Sequence, residues 1–173
     1  MDLPKRKPTR LREYNYSTPG GYFVTICTHN RKNLFSRINV GAIHESPEST
    51  LTKYGEMVEM VIEHLPERFG IEIPKYVIMP NHIHLIITIP WTDEHMRSIH
   101  ESTLQNKRSI VPTVIGYLKM NVSKMMHKTY PCPNIWQRSY HDHIIRGQKD
   151  YEEIWKYIDT NVSCWEKDCF YNK

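Results

Sequence analysis

The chain has 173 residues and a mass of 20.7 kDa, enough for one well-covered hydrophobic core and too short for two ordinary domains. Its residues are 39% hydrophobic and 24% charged, and no apolar run approaches the roughly 20 residues that cross a bilayer, which excludes a membrane-spanning chain. The formal charge is only +4, but Lys5, Arg6, Lys7, Arg10 and Arg12 cluster in a basic arm of about residues 1–18, the kind of segment that touches a polyanion.

A single domain over 1–173 is therefore expected. The N-terminus MDLPKRKPTRLREYNYS lacks the apolar stretch of a secretory signal. Cys27, Cys132, Cys164 and Cys169 form no CxxC pair, so no zinc ribbon or redox motif is indicated. A reduced, cytoplasmic location fits these cysteines.

In chain order, YFVTICTH (22–29) follows Gly20-Gly21 and reads as a first strand. A polar stretch over 36–50 carries no strand pattern. From about Thr50 to Leu65 the apolar residues Met57, Met60, Val61 and Leu65 recur at helical spacing, and Pro66 is expected to end that helix. Pro74 to Met79 and His82 to Ile89 are short β-rich runs divided by Pro80-Asn81, the turn chemistry of a hairpin. Trp91 to Arg108 is polar and aperiodic, a long loop.

A second helix follows, with Val114, Leu118, Val122 and Met125 as its apolar stripe and Pro112 in its first turn. Lys119, Lys124 and Lys128 lie mainly off the stripe and give it a basic side. SYHDHIIR (139–146) reads as a fourth strand, and Asp150 to about Val162 as a third helix with Tyr151, Ile154, Ile158 and Val162 facing inward. The order β-α-β-β-α-β-α contains βαββαβ. An α+β fold is expected, a ferredoxin-like antiparallel sheet with helices on one face and a further C-terminal helix.

The second strand of the hairpin begins with His82 and His84. Side chains alternate along a strand, so both imidazoles share a face while Ile83 and Leu85 take the other, and together they can hold one metal ion. Two known chemistries use such a pair. Histidine-triad nucleotide hydrolases need a third histidine two residues on, where this chain has Ile86. HUH endonucleases pair the histidines with a tyrosine that attacks a DNA phosphate. The chain has 11 tyrosines. In the last helix Tyr157 and Asn161 are four apart and stack on one face, whereas Tyr151 lies about 120° away among core positions. An amide oxygen from Asn161 with two imidazoles suits Mg²⁺ or Mn²⁺.

Three ordered blocks, LREYNYSTPGGYFVTICTHNRKNLF (11–35), YVIMPNHIHLIITIP (76–90) and IWQRSYHDHIIRGQKDYEEIWKYIDTN (135–161), resemble the REP-associated tyrosine transposases, HUH-class single-tyrosine relatives of small insertion-sequence transposases. The resemblance implies that His82 and His84 are metal ligands, Asn161 a third ligand and Tyr157 the nucleophile. It implies cleavage and rejoining of single-stranded DNA beside palindromic hairpins through a 5′-phosphotyrosine, by a monomer or homodimer. The Asn-Pro usual in that family after the tyrosine helix is here Asn161-Val162.

Lys5, Arg6, Lys7, Arg10, Arg12, Lys119 and Lys124 are candidate DNA contacts, and Tyr14, Tyr16 and Trp136 candidate base platforms. His143, which shares a strand face with His141 while Asp142 takes the other, is a candidate supporting residue. The competing reading is a hairpin-binding protein with little catalysis.

Overall fold

A computed structural model describes residues 14–39, 48–92, 109–130 and 134–171. The five cations of the basic arm and most of the 91–108 segment lie outside these residues. Among the described residues no helix is long and apolar enough to cross a membrane.

The elements are β1 (Gly20–Cys27), β2 (Ser36–Asn39), β3 (Glu48–Leu51), α1 (Lys53–Phe69), β4 (Glu72–Ile78), β5 (His82–Ile89), α2 (Ile110–Met126), β6 (His141–Ile144) and α3 (Gln148–Thr160). Four strands form an antiparallel sheet in the order β4-β5-β1-β6, the strand order of the expected ferredoxin-like arrangement.

Register fixes what each sheet face carries. Phe23 pairs with Ile86 and His143, Thr25 with His84 and His141, and Cys27 with His82; residues directly opposite in an antiparallel pair share a face. The other face presents Tyr22, Val24, Ile26, Ile83, Leu85, Ile87 and Ile89 to the main core, which α1 and α2 complete with Val58, Ile62, Leu65, Val114, Leu118 and Val122. The third helix lies on the histidine-bearing face, where Ile154 and Ile158 pack on Ile86. Its edge is moored to β4 by an ion pair from Lys75 to Asp159 and by the same ammonium 4.9 Å from the Trp155 ring centroid.

Two segments depart from the sequence pattern. The first helix runs through Pro66 to Phe69: a proline there forfeits one hydrogen bond, and the stop comes from Gly70, left-handed at φ 61°, whose N–H donates to the Pro66 carbonyl at 2.9 Å. The polar 36–50 stretch holds the β2–β3 pair. Thr52 joins this pair to α1. Its hydroxyl accepts from the N–H groups of Tyr54 and Gly55 and donates to the carbonyl of Leu34 at 2.6 Å, capping the helix against the end of the preceding loop.

Candidate metal and nucleophile site

His82 opens β5 straight after the Pro80-Asn81 turn, and that turn does chemical work. The Asn81 amide nitrogen donates to the carbonyls of Phe170 (2.8 Å) and Arg31 (3.3 Å), which leaves its Oδ1 as the acceptor facing His82 Nδ1 at 2.9 Å. The His82 proton is thereby placed on Nδ1 and the lone pair on Nε2. Nε2 is buried and has no hydrogen-bond partner, the state of a histidine whose second nitrogen is held for a metal.

The second imidazole is oriented from the neighbouring strand. Thr25 Oγ1 lies 2.8 Å from His84 Nδ1, because β1 and β5 place the two residues opposite each other. That contact turns His84 Nε2 toward α3, where the Tyr157 hydroxyl lies 3.3 Å away. The two imidazole centroids are 4.5 Å apart. Both rings are almost wholly buried, and burial lowers both pKa values from 6.5 to about 3. The positive charge of Arg31 depresses His82 further, and His82 depresses His84. Both imidazoles are therefore neutral, with lone pairs available, throughout the physiological range.

A third donor comes from beyond the last helix. Asp168 brings a carboxylate oxygen to a group with His82 and His84 whose ligand atoms all lie within 4.8 Å of one another. Asn161 adjoins it: at the C-terminal cap of α3, its amide nitrogen donates to Asp168 Oδ2 at 3.2 Å. Asn161 Oδ1 is buried and has no hydrogen-bond partner. Two imidazoles, a carboxylate and an amide oxygen, two of these residues with orphaned lone pairs, form a donor set that fits a divalent cation.

Tyr157 is 40% exposed, with its ring 5.1 Å from His84 and 6.0 Å from Phe23. Its pKa is raised from 10.0 to about 12, first by burial and then by the charge of Asp168, with the Asn161 amide opposing. The phenol is therefore protonated at neutral pH. Residues after α3 close over the histidines. The Phe170 ring lies 4.6 Å from His82 and 6.1 Å from His84; Arg31 stacks on it at 5.2 Å and donates to the Cys169 carbonyl at 2.8 Å.

His82, His84, Tyr157 and Asn161 lie together in the structure. Other sequence candidates do not join them. Lys119 points its ammonium at the carbonyls of Gln137 and Ser139, both at 2.8 Å, and so ties α2 to the segment leading into β6. Lys124 is exposed on the outer side of α2, far in sequence and sheet face from the histidines. His143 pairs with Asp150 at 2.9 Å, and Asp150 Oδ2 also accepts the Arg146 N–H, so His143 braces the start of α3. Tyr14 and Tyr16 pack with Tyr22 as an aromatic cluster, and Trp136 packs on Phe35 while donating to the Lys119 carbonyl. These three rings are framework, because each is engaged by the core.

Asp168, Thr25, Asn81 and Phe170 were not singled out from the sequence. Thr25 is visible only once the strand register is known, and Asn81 reads simply as a turn residue. Asp168 and Phe170 lie in a segment without periodicity.

Residues 21–161 match the family described as Transposase IS200 like. An uncharacterized protein of Haemophilus influenzae is 33% identical over 176 residues, spanning 96% of this chain and 93% of that protein. The REP-associated tyrosine transposase of Escherichia coli K12 is 24% identical over 153 residues, spanning 88% of this chain and 72% of the relative. A solved REP-associated tyrosine transposase bound to a REP hairpin shares the fold with a TM-score of 0.56 at 23% identity, covering 88% of this chain and 71% of that one.

Proposed function

The chain belongs to the IS200-like transposase family, and from that premise we propose that it is a divalent-metal-dependent nuclease and strand transferase for single-stranded DNA beside palindromic hairpins, with Tyr157 as nucleophile. The observation that carries this reading is the Tyr157 hydroxyl 3.3 Å from His84 Nε2, which sets the one tyrosine of α3 with the right face against the histidine pair. His82, His84 and Asp168 would hold the cation, with Asn161 Oδ1 as a further donor. Mn²⁺ or Mg²⁺ is the expected ion, and the two imidazoles favour Mn²⁺. When bound, such an ion supplies charge stabilisation at the non-bridging oxygens of the scissile phosphate.

The chain's own groups do the rest. Tyr157 Oη forms a bond to phosphorus as the bond from phosphorus to the 3′ oxygen breaks, leaving a 5′-phosphotyrosine and a free 3′-hydroxyl. The phenol loses its proton as the bond to phosphorus forms, and the departing 3′ oxygen takes one up to become the free hydroxyl, so the exchange is proton-neutral overall. Because one phosphoester replaces another, a second 3′-hydroxyl can attack the adduct and rejoin the strand with no external energy source. The hairpin partner is inferred from the relative solved with a REP hairpin. The histidine-triad alternative is disfavoured by the role of Ile86, which is fully buried against Ile154 and Ile158 and stands where the nucleophilic histidine would be.

A denaturing gel tests this reading. Incubated with single-stranded hairpin DNA and Mn²⁺, the protein should form an adduct that survives detergent and heat, and a chelator or His82→Ala should abolish it. Hairpin binding without any adduct, with both ions tried, would leave a hairpin-binding protein in its place.

A further inference from the structure

Behind the histidine pair lies a second concavity. The β2–β3 hairpin, the start of α1 and the residues after α3 enclose an open cavity of about 780 Å³, inside the roughly 300–1,000 Å³ range of small-ligand sites. Trp165 is the partition between the two. Its ring is 6.0 Å from the His82 ring, and it also lines the cavity.

The wall has a definite chemistry. Arg37 and Lys53 are exposed cations lining it, and among the described residues that line it there is no carboxylate. Tyr171 adds a half-buried ring, edge-on to Trp165 at 5.2 Å, while the Tyr54 ring, also in the wall, is engaged by Lys53 at 4.9 Å and Tyr130 at 5.5 Å. Ser36, also in the wall, is 3% exposed, and its hydroxyl has no hydrogen-bond partner. A buried hydroxyl left unpaired costs stability, so it marks a place where a ligand group gains by hydrogen bonding. The frame is rigid, because Thr52 N–H donates to the Phe35 carbonyl at 2.8 Å while its hydroxyl donates to the adjacent Leu34 carbonyl, and the two bonds tie the start of α1 to the root of the β2–β3 pair.

Cations with no carboxylate among the described lining residues call for an anion, and the Tyr171 ring calls for a flat apolar face. A nucleotide carries both. We propose that this cavity receives one unpaired nucleotide of the DNA strand, beside the phosphate presented to the histidine pair. Arg37 and Lys53 meet its phosphates, the Tyr171 ring takes the base by stacking, and Ser36 supplies a hydrogen bond. Trp165 stands between this base and His82, so occupancy of the cavity sets which phosphate lies over the metal ligands. The inference rests on the DNA-cleaving reading above and adds to it a determinant of cleavage position.

The test compares fluorescein-labelled single-stranded octamers of dA, dC, dG or dT with an octamer of abasic units of equal charge, by anisotropy titration of the full chain. At least one base-bearing octamer should bind about fivefold or more tighter than the abasic one, the scale of one base stacked on an aromatic ring. Thr50→Trp, which fills the cavity from the exposed side of β3, should reduce that ratio to about one. Ser36→Ala should reduce it less, and Arg37→Gln should weaken all probes alike by removing a phosphate contact. A ratio near one in the wild-type chain, or an undiminished ratio in a Thr50→Trp variant whose circular dichroism and melting are unchanged, would overturn the proposal. The adduct assay is independent of this ratio. An adduct with an unchanged ratio rejects the cavity and keeps the nuclease, whereas a ratio lost in Thr50→Trp with no adduct keeps the cavity and rejects the nuclease.

Discussion

Replacing Ile86 by alanine should separate the tyrosine from the metal ligands. Ile86 is fully buried, and it is the sheet residue on which Ile154 and Ile158 of α3 rest. Truncation removes three carbon atoms, about 2.4 kcal/mol at ~0.8 kcal/mol per buried carbon. The residual cavity between sheet and helix raises the expected loss to about 2–4 kcal/mol. The two imidazoles are held from the sheet side, by Asn81 and Thr25, whereas Asn161 caps α3 and Asp168 follows it, so Mn²⁺ affinity by calorimetry should fall by less than the adduct rate. Tyr157 is held by the seating of α3, so adduct formation should fall at least about tenfold, the cost of a poorly placed attacking atom. Urea unfolding of Ile86→Ala, Ile158→Ala and the double variant should show losses that do not add, since the two side chains share one cluster. Equal losses of Mn²⁺ affinity and adduct rate, or a stability change below about 1 kcal/mol, would refute the claim that Ile86 positions Tyr157 more than it positions the metal donors.

Three further outcomes follow. In chelator-treated protein His82 and His84 are neutral when folded down to about pH 3 but titrate near 6.5 when unfolded. Above pH 6.5 the pair adds no pH dependence, and below it the unfolded chain binds protons that the native one refuses. Stability should therefore fall by about 2 kcal/mol between pH 6.5 and 5.5, and a His82→Gln/His84→Gln variant should show a flatter profile by urea titration. Gly55→Ala should destabilise by at least about 1–3 kcal/mol in chemical denaturation, because the new Cβ would lie 2.1 Å from the Phe35 carbonyl oxygen, a clash that outweighs the roughly 1 kcal/mol gain in helix propensity. Phe170→Ala should speed carbethoxylation of His82 and His84 by diethylpyrocarbonate, read by peptide mass spectrometry, since that ring covers both imidazoles.

The four strands of the main sheet and the three helices were legible because most carry a periodic apolar pattern. The alternation HIHLIITI assigned the histidines and Ile86 to one face and Ile83, Leu85, Ile87 and Ile89 to the core, and helical spacing put Tyr157 beside Asn161. The β2–β3 pair escaped notice because Arg37, Asn39 and residues 48–50 are all exposed, leaving no alternation to read. Pro66 misled because its single missing hydrogen bond looks, in a sequence, like a helix end. At the site, the residues missed act through geometry alone. Thr25 reaches His84 only across a strand pair, and Asp168 and Phe170 return to the histidines through a chain reversal whose backbone bonds, such as Lys167 N–H to the Cys164 carbonyl and Asp168 N–H to the Trp165 carbonyl, follow from no hydrophobic pattern.

The central claim is that Tyr157 is the residue joined to DNA. Peptide mass spectrometry of the adduct formed with hairpin DNA and Mn²⁺ tests it most directly. The account predicts a phosphodeoxyribonucleotide on the peptide containing Tyr157, and a Tyr157→Phe variant that binds the same hairpin with unchanged affinity yet forms no adduct. A modification mapped to Tyr151 or to any other tyrosine, or an undiminished adduct in Tyr157→Phe, would contradict it.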